Sequence, residues 1–230
     1  MFKNSKTKSI TFGQVAHTIL NLIHQKQIQY QKNGEGQLTS PEEIQEIIER
    51  VKGFNHNIDD EVGEFNEIEE SIYKYWENYT PYWNYDGKDC EILASEVPFT
   101  LTENDYDLEG KIDLIIKDKD SNDIILIDFK TTSETSQTKL KERYQKQLIT
   151  YAMAISQAPE YENYNIKEAM IYSVKFSQPI PVPVNDVDIS DLTDSLNDTV
   201  EKILAGNFQR CKDTSKCFNC EYNKSICRRV

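Results

Sequence analysis

Two apolar runs stand out from an otherwise polar chain, Lys111-Ile112-Asp113-Leu114-Ile115-Ile116 and Ile124-Ile125-Leu126-Ile127-Asp128-Phe129-Lys130. Both are short, rich in β-branched residues and bounded by polar turns, the signature of buried strands. The polar cluster from Lys117 to Asp123 predicts a hairpin between them. Ahead of these runs, Val15, Ala16, Ile19, Leu20 and Ile23 recur at helical spacing within a helix from Thr11 to Gln27. Ser40-Pro41-Glu42-Glu43 is a capping box with proline at the first helical position, so a second helix starts there and runs to about Lys52. A third, acidic and amphipathic, covers Glu64 to Asn78, followed by an aromatic, turn-rich stretch to Lys88. Glu91 to Leu101 alternates and predicts a strand. Lys139 to Gln157 predicts a helix with Leu140, Tyr144, Leu148, Tyr151, Ala152 and Ile155 on one side. Ala169 to Phe176 predicts a further strand, and Pro179 to Pro183 cannot pair as a central strand. Ser190 to Ala205 predicts a last helix, stopped by Gly206. Strands, a crossover helix and another strand imply an α/β fold, a mixed sheet flanked by helices.

The chemistry lies where the apolar runs are interrupted. Strand period two puts Asp128 and Lys130 on one face with Leu126 and Ile124. An acid and a lysine on the buried face of a core strand are costly unless paired or bound to something. Taken singly, Asp113 reads as a turn-capping carboxylate and Lys130 as a lysine snorkelling to solvent. Jointly, two carboxylates and an ammonium at neighbouring strand ends make a divalent-metal site with a cation alongside. That combination serves phosphodiester hydrolysis: a metal to activate water and neutralise phosphate, and a lysine beside the developing charge. Hard carboxylate oxygens suit Mg2+ or Mn2+. Gly13 and His17 are four apart on one helical face, with Gly13 allowing a close neighbour. Gln147 and Tyr151 share a face in the same way. His24 and His56 have no such support, and Cys90 reads as a small packed hydrophobe.

Gly110-Lys111-Ile112-Asp113, then Ile127-Asp128-Phe129-Lys130-Thr131-Thr132, then Gln147-Leu148-Ile149-Thr150-Tyr151 resembles, in that order, the PD-(D/E)XK nuclease superfamily, over residues from about Phe12 to Cys227. The chain is most similar to the RecB/AddB-type nuclease domain found at the C-terminus of UvrD-like helicases. The resemblance implies a restriction-endonuclease-like core over 91–205, a helical N-terminal elaboration over 11–90 and a cysteine-rich tail over 206–230, together one nuclease domain excised from a larger helicase–nuclease. It implies a metal held by Asp113, Asp128, the backbone carbonyl of Phe129 and, in the RecB-like branch, His17. Lys130 would position the attacking water and stabilise the transition state. Gln147 and Tyr151 would flank the site and touch DNA phosphates or the lysine, and Glu96 would lie near the metal or brace it; the plain alternative for Glu96 is an exposed strand glutamate. The activity implied is that of a metal-dependent deoxyribonuclease, an exonuclease in DNA repair or recombination. An exonuclease of the CRISPR-adaptation type shares the same core and cysteine tail. A DNA-binding module that keeps the fold without cutting is opposed by the intact Asp113, Asp128 and Lys130.

Cys211, Cys217, Cys220 and Cys227 crowd the C-terminus, and soft thiolates at such spacing select zinc or an iron–sulfur cluster. The last three resemble the cysteine triplet of iron–sulfur members of the superfamily, whose fourth ligand precedes the first helix. No cysteine precedes Cys90 here. Either that ligand lies outside this chain, or Cys211 supplies it, or a [4Fe-4S] cluster is not held.

Charge changes the picture of where DNA could sit. A net charge of −13 opposes phosphate binding. From Glu35 to Glu109, however, 21 acidic residues face 4 basic ones, leaving +4 for the rest of the chain. Lys130 to Lys146 carries five basic residues against two acidic, and Lys202 to Val230 seven against two. No apolar stretch approaches the roughly 20 residues that span a bilayer, and the N-terminus lacks an apolar signal region, so a cytoplasmic location is expected.

Overall fold

The three helices expected ahead of the strands all form. In a computed structural model, which describes residues 5–35, 38–54, 64–79, 83–85, 88–103 and 106–208, α1 spans Ser5–Lys32, α2 Pro41–Phe54 and α3 Glu64–Tyr79. The capping box closes as its sequence requires. Ser40 N–H donates to Glu43 Oε2 at 2.8 Å, and Glu43 N–H donates to Ser40 Oγ at 3.3 Å. Lys26 of α1 reaches the same carboxylate at 2.6 Å, tying α1 to the start of α2.

Six strands follow, in sheet order equal to chain order: β1 (Trp83–Tyr85), β2 (Lys88–Glu103), β3 (Tyr106–Asp118), β4 (Asp123–Lys130), β5 (Asn165–Ser173) and β6 (Gln178–Val182). All neighbours are antiparallel except β4 and β5. That parallel pair is joined by α4 (Gln137–Gln157) and a short 3-10 turn, Pro159–Tyr161, the crossover that parallel strands need. Helices α1–α3 cover one face, burying Ile19, Ile44, Phe65 and Ile72 against Leu114, Ile116, Ile125, Ile127, Phe129 and Tyr172. Helix α4 covers the other, burying Leu140, Leu148, Tyr151 and Ile155 against Ile112, Ile115, Ile124, Leu126, Ala169 and Ile171. Coverage on both faces explains why β4 is a continuous apolar run rather than an alternating one.

Two sequence expectations are corrected. β2 and β3 extend to 16 and 13 residues, well past their apolar runs. The apolar runs mark only the part of the sheet that helices cover. Asp113 therefore lies inside β3, not at its end. What ends there is the β3–β4 ladder, whose last register pair is Leu114↔Ile127. The aromatic stretch after α3 also holds β1, which the turn residues around it conceal.

The two sheet edges are managed differently. β6 carries Pro179 and Pro181, in accord with the expectation that this segment forms no central strand. At the other edge, β2 pairs β1 only over Lys88–Cys90 and then bulges between Ile92 and Ala94. There the Gln31 amide of α1 substitutes for a strand: its Nε2 donates to Ile92 O at 2.8 Å, and its Oε1 accepts from Ile92 N–H at 3.2 Å. Nearby, Gln25 donates to Ser95 Oγ at 2.9 Å and Ser95 Oγ to Asn21 Oδ1 at 2.7 Å.

The chain divides into two compact units, 1–192 and 193–230. In the second, the last turns of α5 (Asp186–Leu204) end at Gly206, whose φ of 65° is the left-handed stop expected of it. Cys211, Cys217, Cys220 and Cys227 lie outside the described residues. Among the described residues no helix is long and apolar enough to cross a membrane.

Candidate active site

The site forms where β3 and β4 part. One residue beyond the last ladder pair stand Asp113 and Asp128, on adjacent strands. Beyond that point β3 continues with β2, and β4 with β5. The parting leaves a backbone donor to satisfy, and Phe129 N–H donates to Asp113 Oδ2 at 2.7 Å. A charge-assisted bond of this length orients the carboxylate and leaves its other oxygen available. That oxygen, Oδ1, lies 3.3 Å from His17 Nδ1 of α1.

α1 comes this close because Gly13 faces the strap after β4. A Cβ at Gly13 would stand 3.1 Å from Thr131 Oγ1, tighter than side chains ordinarily pack. Gly13 and His17 thus work as the sequence spacing suggested, one allowing the approach and the other using it. His17 is half-buried. Burial alone would lower its pKa, but the hydrogen bond and charge of Asp113, helped by Asp128, raise it overall.

Glu96 completes this side of the site. By register it stands opposite Asp113, between the pairs Ser95↔Leu114 and Val97↔Ile112. One donor atom each from His17, Glu96 and Asp113 lies within 4.8 Å of the others. Glu96 has φ 52°, a left-handed conformation unusual for a residue with a Cβ inside a strand. Lys111 holds it, with Nζ 2.8 Å from Glu96 Oε2. Lys111 was not singled out from the sequence, although strand period two places it on the same face as Asp113. Because the strain is in the backbone, Glu96→Gly is expected to be more stable than Glu96→Ala by about 1 kcal/mol. That reverses the order found at ordinary strand positions, and both variants lose the same ion pair. Urea unfolding of the two variants measures it; an alanine variant as stable as the glycine one removes the strain.

On the α4 face, Asp128 and Lys130 enter a closed ring of polar contacts. Lys130 Nζ lies 2.6 Å from Asp128 Oδ2 and donates to Gln147 Oε1 at 3.1 Å. Gln147 Nε2 donates to Tyr151 OH at 2.6 Å, and Tyr151 OH donates to Asp128 Oδ1 at 3.2 Å. The i,i+4 spacing of Gln147 and Tyr151 on α4 is what closes the ring. Asp128 is 1% exposed. Burial pushes its carboxyl up to about 6, Lys130 opposes this, and Asp113 adds to it. Tyr151 is likewise pushed well up, first by burial and then by both aspartates, so it stays a phenol and a donor. Tyr144, which sequence reasoning placed only in the core, carries Lys130 Nζ 4.5 Å from its ring centroid.

Phe129 points the opposite way from its neighbours, into the α1–α3 face. There it stacks on His24 at 5.6 Å and meets Tyr75 and Tyr172 edge-on at 5.4 and 5.7 Å. His24 is fully inside this cluster, hydrogen-bonded to Tyr75 OH at 2.7 Å, and burial lowers its pKa to about 3. It is a core residue.

The donors at the β3–β4 divide are carboxylates and one imidazole, the set that suits a hard divalent cation such as Mg2+ or Mn2+. Four of the sequence-derived residues (Asp128, Lys130, Gln147 and Tyr151) form one network, and His17, Glu96 and Asp113 form the other. Comparison with curated proteins finds no match. A family model matches residues 3–228, nearly the whole chain, and by that match the protein belongs to the PD-(D/E)XK nuclease superfamily, whose members are generally divalent-metal-dependent nucleases acting on DNA.

Proposed function

We propose that this protein is a deoxyribonuclease, an exonuclease of the RecB/AddB type, acting with helicase domains of the same or a partner chain in DNA repair or recombination. The observation that carries the nuclease assignment is the meeting of two carboxylates, a histidine and a lysine at the point where β3 and β4 part. The branch assignment is supported by His17, which Gly13 brings against Asp113.

Asp113, Asp128, His17 and the Phe129 carbonyl would hold Mg2+ or Mn2+, with Glu96 bracing them. When bound, such a cation lowers the pKa of water and neutralises phosphate charge. The protein's own groups do the rest. Lys130, oriented by Gln147, positions the attacking water and meets charge developing on the scissile phosphate. Tyr151 holds the Asp128 carboxylate in place. The four C-terminal cysteines would serve as a structural site for zinc or an iron–sulfur cluster.

The test is cleavage of labelled single- and double-stranded DNA with Mn2+ or Mg2+, beside Lys130→Ala. The wild type should cut only with metal, and Lys130→Ala should lose on the order of 10²-fold or more in rate. Metal-independent cutting, or full activity in the variant, overturns the proposal.

Asp128 also makes a prediction about pH. Its folded-state pKa of about 6 lies above the ordinary value of 3.8. Between those two values the folded protein keeps a proton that the unfolded chain has lost, so its contribution to the stability of the metal-free protein falls as pH rises through this window. A cation needs the carboxylate and a neutral imidazole, so apparent Mn2+ affinity should climb as pH rises through about 6 and go on climbing until His17, whose pKa is raised, has lost its proton, with protons released on binding over that whole range. Calorimetry in buffers of different ionisation enthalpy counts those protons. Affinity flat from pH 5 to pH 7 contradicts the assignment of Asp128 as ligand.

A further inference from the structure

The polar ring around Asp128 accounts for Gln147 and Tyr151, but α4 carries a second feature that the catalytic assignment leaves unused. Lys139, Arg143 and Lys146 fall at i, i+4 and i+7, along one edge of the helix. All three are exposed. Lys139 has a loose partner, Glu134 at 3.6 Å. Among the described residues neither Arg143 nor Lys146 has a carboxylate within ion-pair reach. Glu142 is the one acid on the adjoining helix surface, a turn before Lys146.

This edge joins the catalytic lysine through Tyr144. Lys130 Nζ lies 4.5 Å and the Arg143 guanidinium 5.3 Å from the centroid of the same ring. Gln147, which accepts from Lys130, stands one residue after Lys146. A continuous series of cations therefore leads from the buried end of the site, where Lys130 is 17% exposed, out to open helix surface. In a chain of net charge −13, a row of exposed cations in which Arg143 and Lys146 have no ion-pair partner among the described residues is what polyanion recognition needs.

We infer that the Lys139–Arg143–Lys146 edge of α4 is a track for the phosphate backbone of a single DNA strand, guiding it to Lys130. The inference rests on the nuclease proposal for its partner. A single strand fits better than a duplex for two reasons. The row is one helix edge wide, and the scissile phosphate must descend to Asp128, whose side chain is 2% exposed. A strand separated from its complement can bend to that depth.

The experiment measures binding of the full chain to a fluorescein-labelled oligothymidylate by anisotropy, in EDTA so that nothing is cut, across roughly 50 to 200 mM salt. The wild type is compared with Arg143→Gln/Lys146→Gln and with a charge-matched control, Lys74→Gln/Lys167→Gln, whose residues lie on α3 and at the start of β5. Losing two phosphate contacts should lower the slope of log K against log salt by about 1.4, at roughly 0.7 per contact on a single strand. The control should keep the wild-type slope, and Glu142→Gln should tighten binding. An unchanged slope in the α4 pair, or an equal fall in the control, overturns the track. Tighter wild-type binding to the matching duplex overturns the single-strand choice. Because the readout needs no cleavage, a protein that cuts nothing but shows the slope change would sink the nuclease proposal and leave the track standing.

Discussion

Asp113→Ala and Asp128→Ala should each reduce metal-dependent cleavage by a factor on the order of 10³ or more, as large as the loss of any preorganised charge-stabilising group. Both should weaken Mn2+ binding measured by calorimetry. The two positions differ in what else they hold. Asp113 accepts Phe129 N–H at 2.7 Å, so alanine there also orphans a backbone donor, at about 1–3 kcal/mol of stability. Asp113→Asn keeps an acceptor in place and should restore that stability without restoring cleavage. This contrast separates a metal ligand from a structural carboxylate. Wild-type cutting rates in either alanine variant would falsify the site.

The largest stability effect is expected one residue further along β4. Phe129 is 2% exposed and lies among His24, Tyr75 and Tyr172. Truncating a buried aromatic removes its transfer free energy and leaves a cavity, so Phe129→Ala should cost about 3–5 kcal/mol in urea unfolding. Phe129→Leu, which refills much of the volume, should cost less. A loss below about 1 kcal/mol for alanine would mean that the aromatic cluster does not anchor β4. The test matters to function because the Phe129 amide fixes Asp113 on one side while its ring fixes the strand on the other.

What could be read from the sequence follows from range. The strand runs, the capping box and the i,i+4 pairs Gly13–His17 and Gln147–Tyr151 are local patterns, and each appears in the structure with its expected geometry. Asp128 and Lys130 share the α4 face because strand alternation alone dictates it. Three features escaped because they depend on distant partners. Asp113 was placed at a strand end, since sequence shows where apolar residues stop but not where a neighbouring ladder stops. The left-handed backbone at Glu96 arises in a strand that bulges between Ile92 and Ala94, and no single residue announces it. Gln31 lies beyond Gln27, past the apolar spacing that marks the first helix, yet it serves a backbone 61 residues away. The fold class was accessible because it rests on periodicity, while the wiring of the site rests on register.

The treatment of the sheet edges also limits how this protein can assemble with others. An open strand edge is a template on which any extended segment can add by backbone pairing, and it drives promiscuous aggregation as readily as specific assembly. Here Gln31 already occupies the donor and acceptor of Ile92, and prolines remove two of the amide donors of β6. Strand addition is thereby disfavoured at these places on both sides of the sheet. A partner that docks near these places is left to grip the protein by its helices and loops. A partner can then hold the protein without these stretches of its sheet becoming a seed.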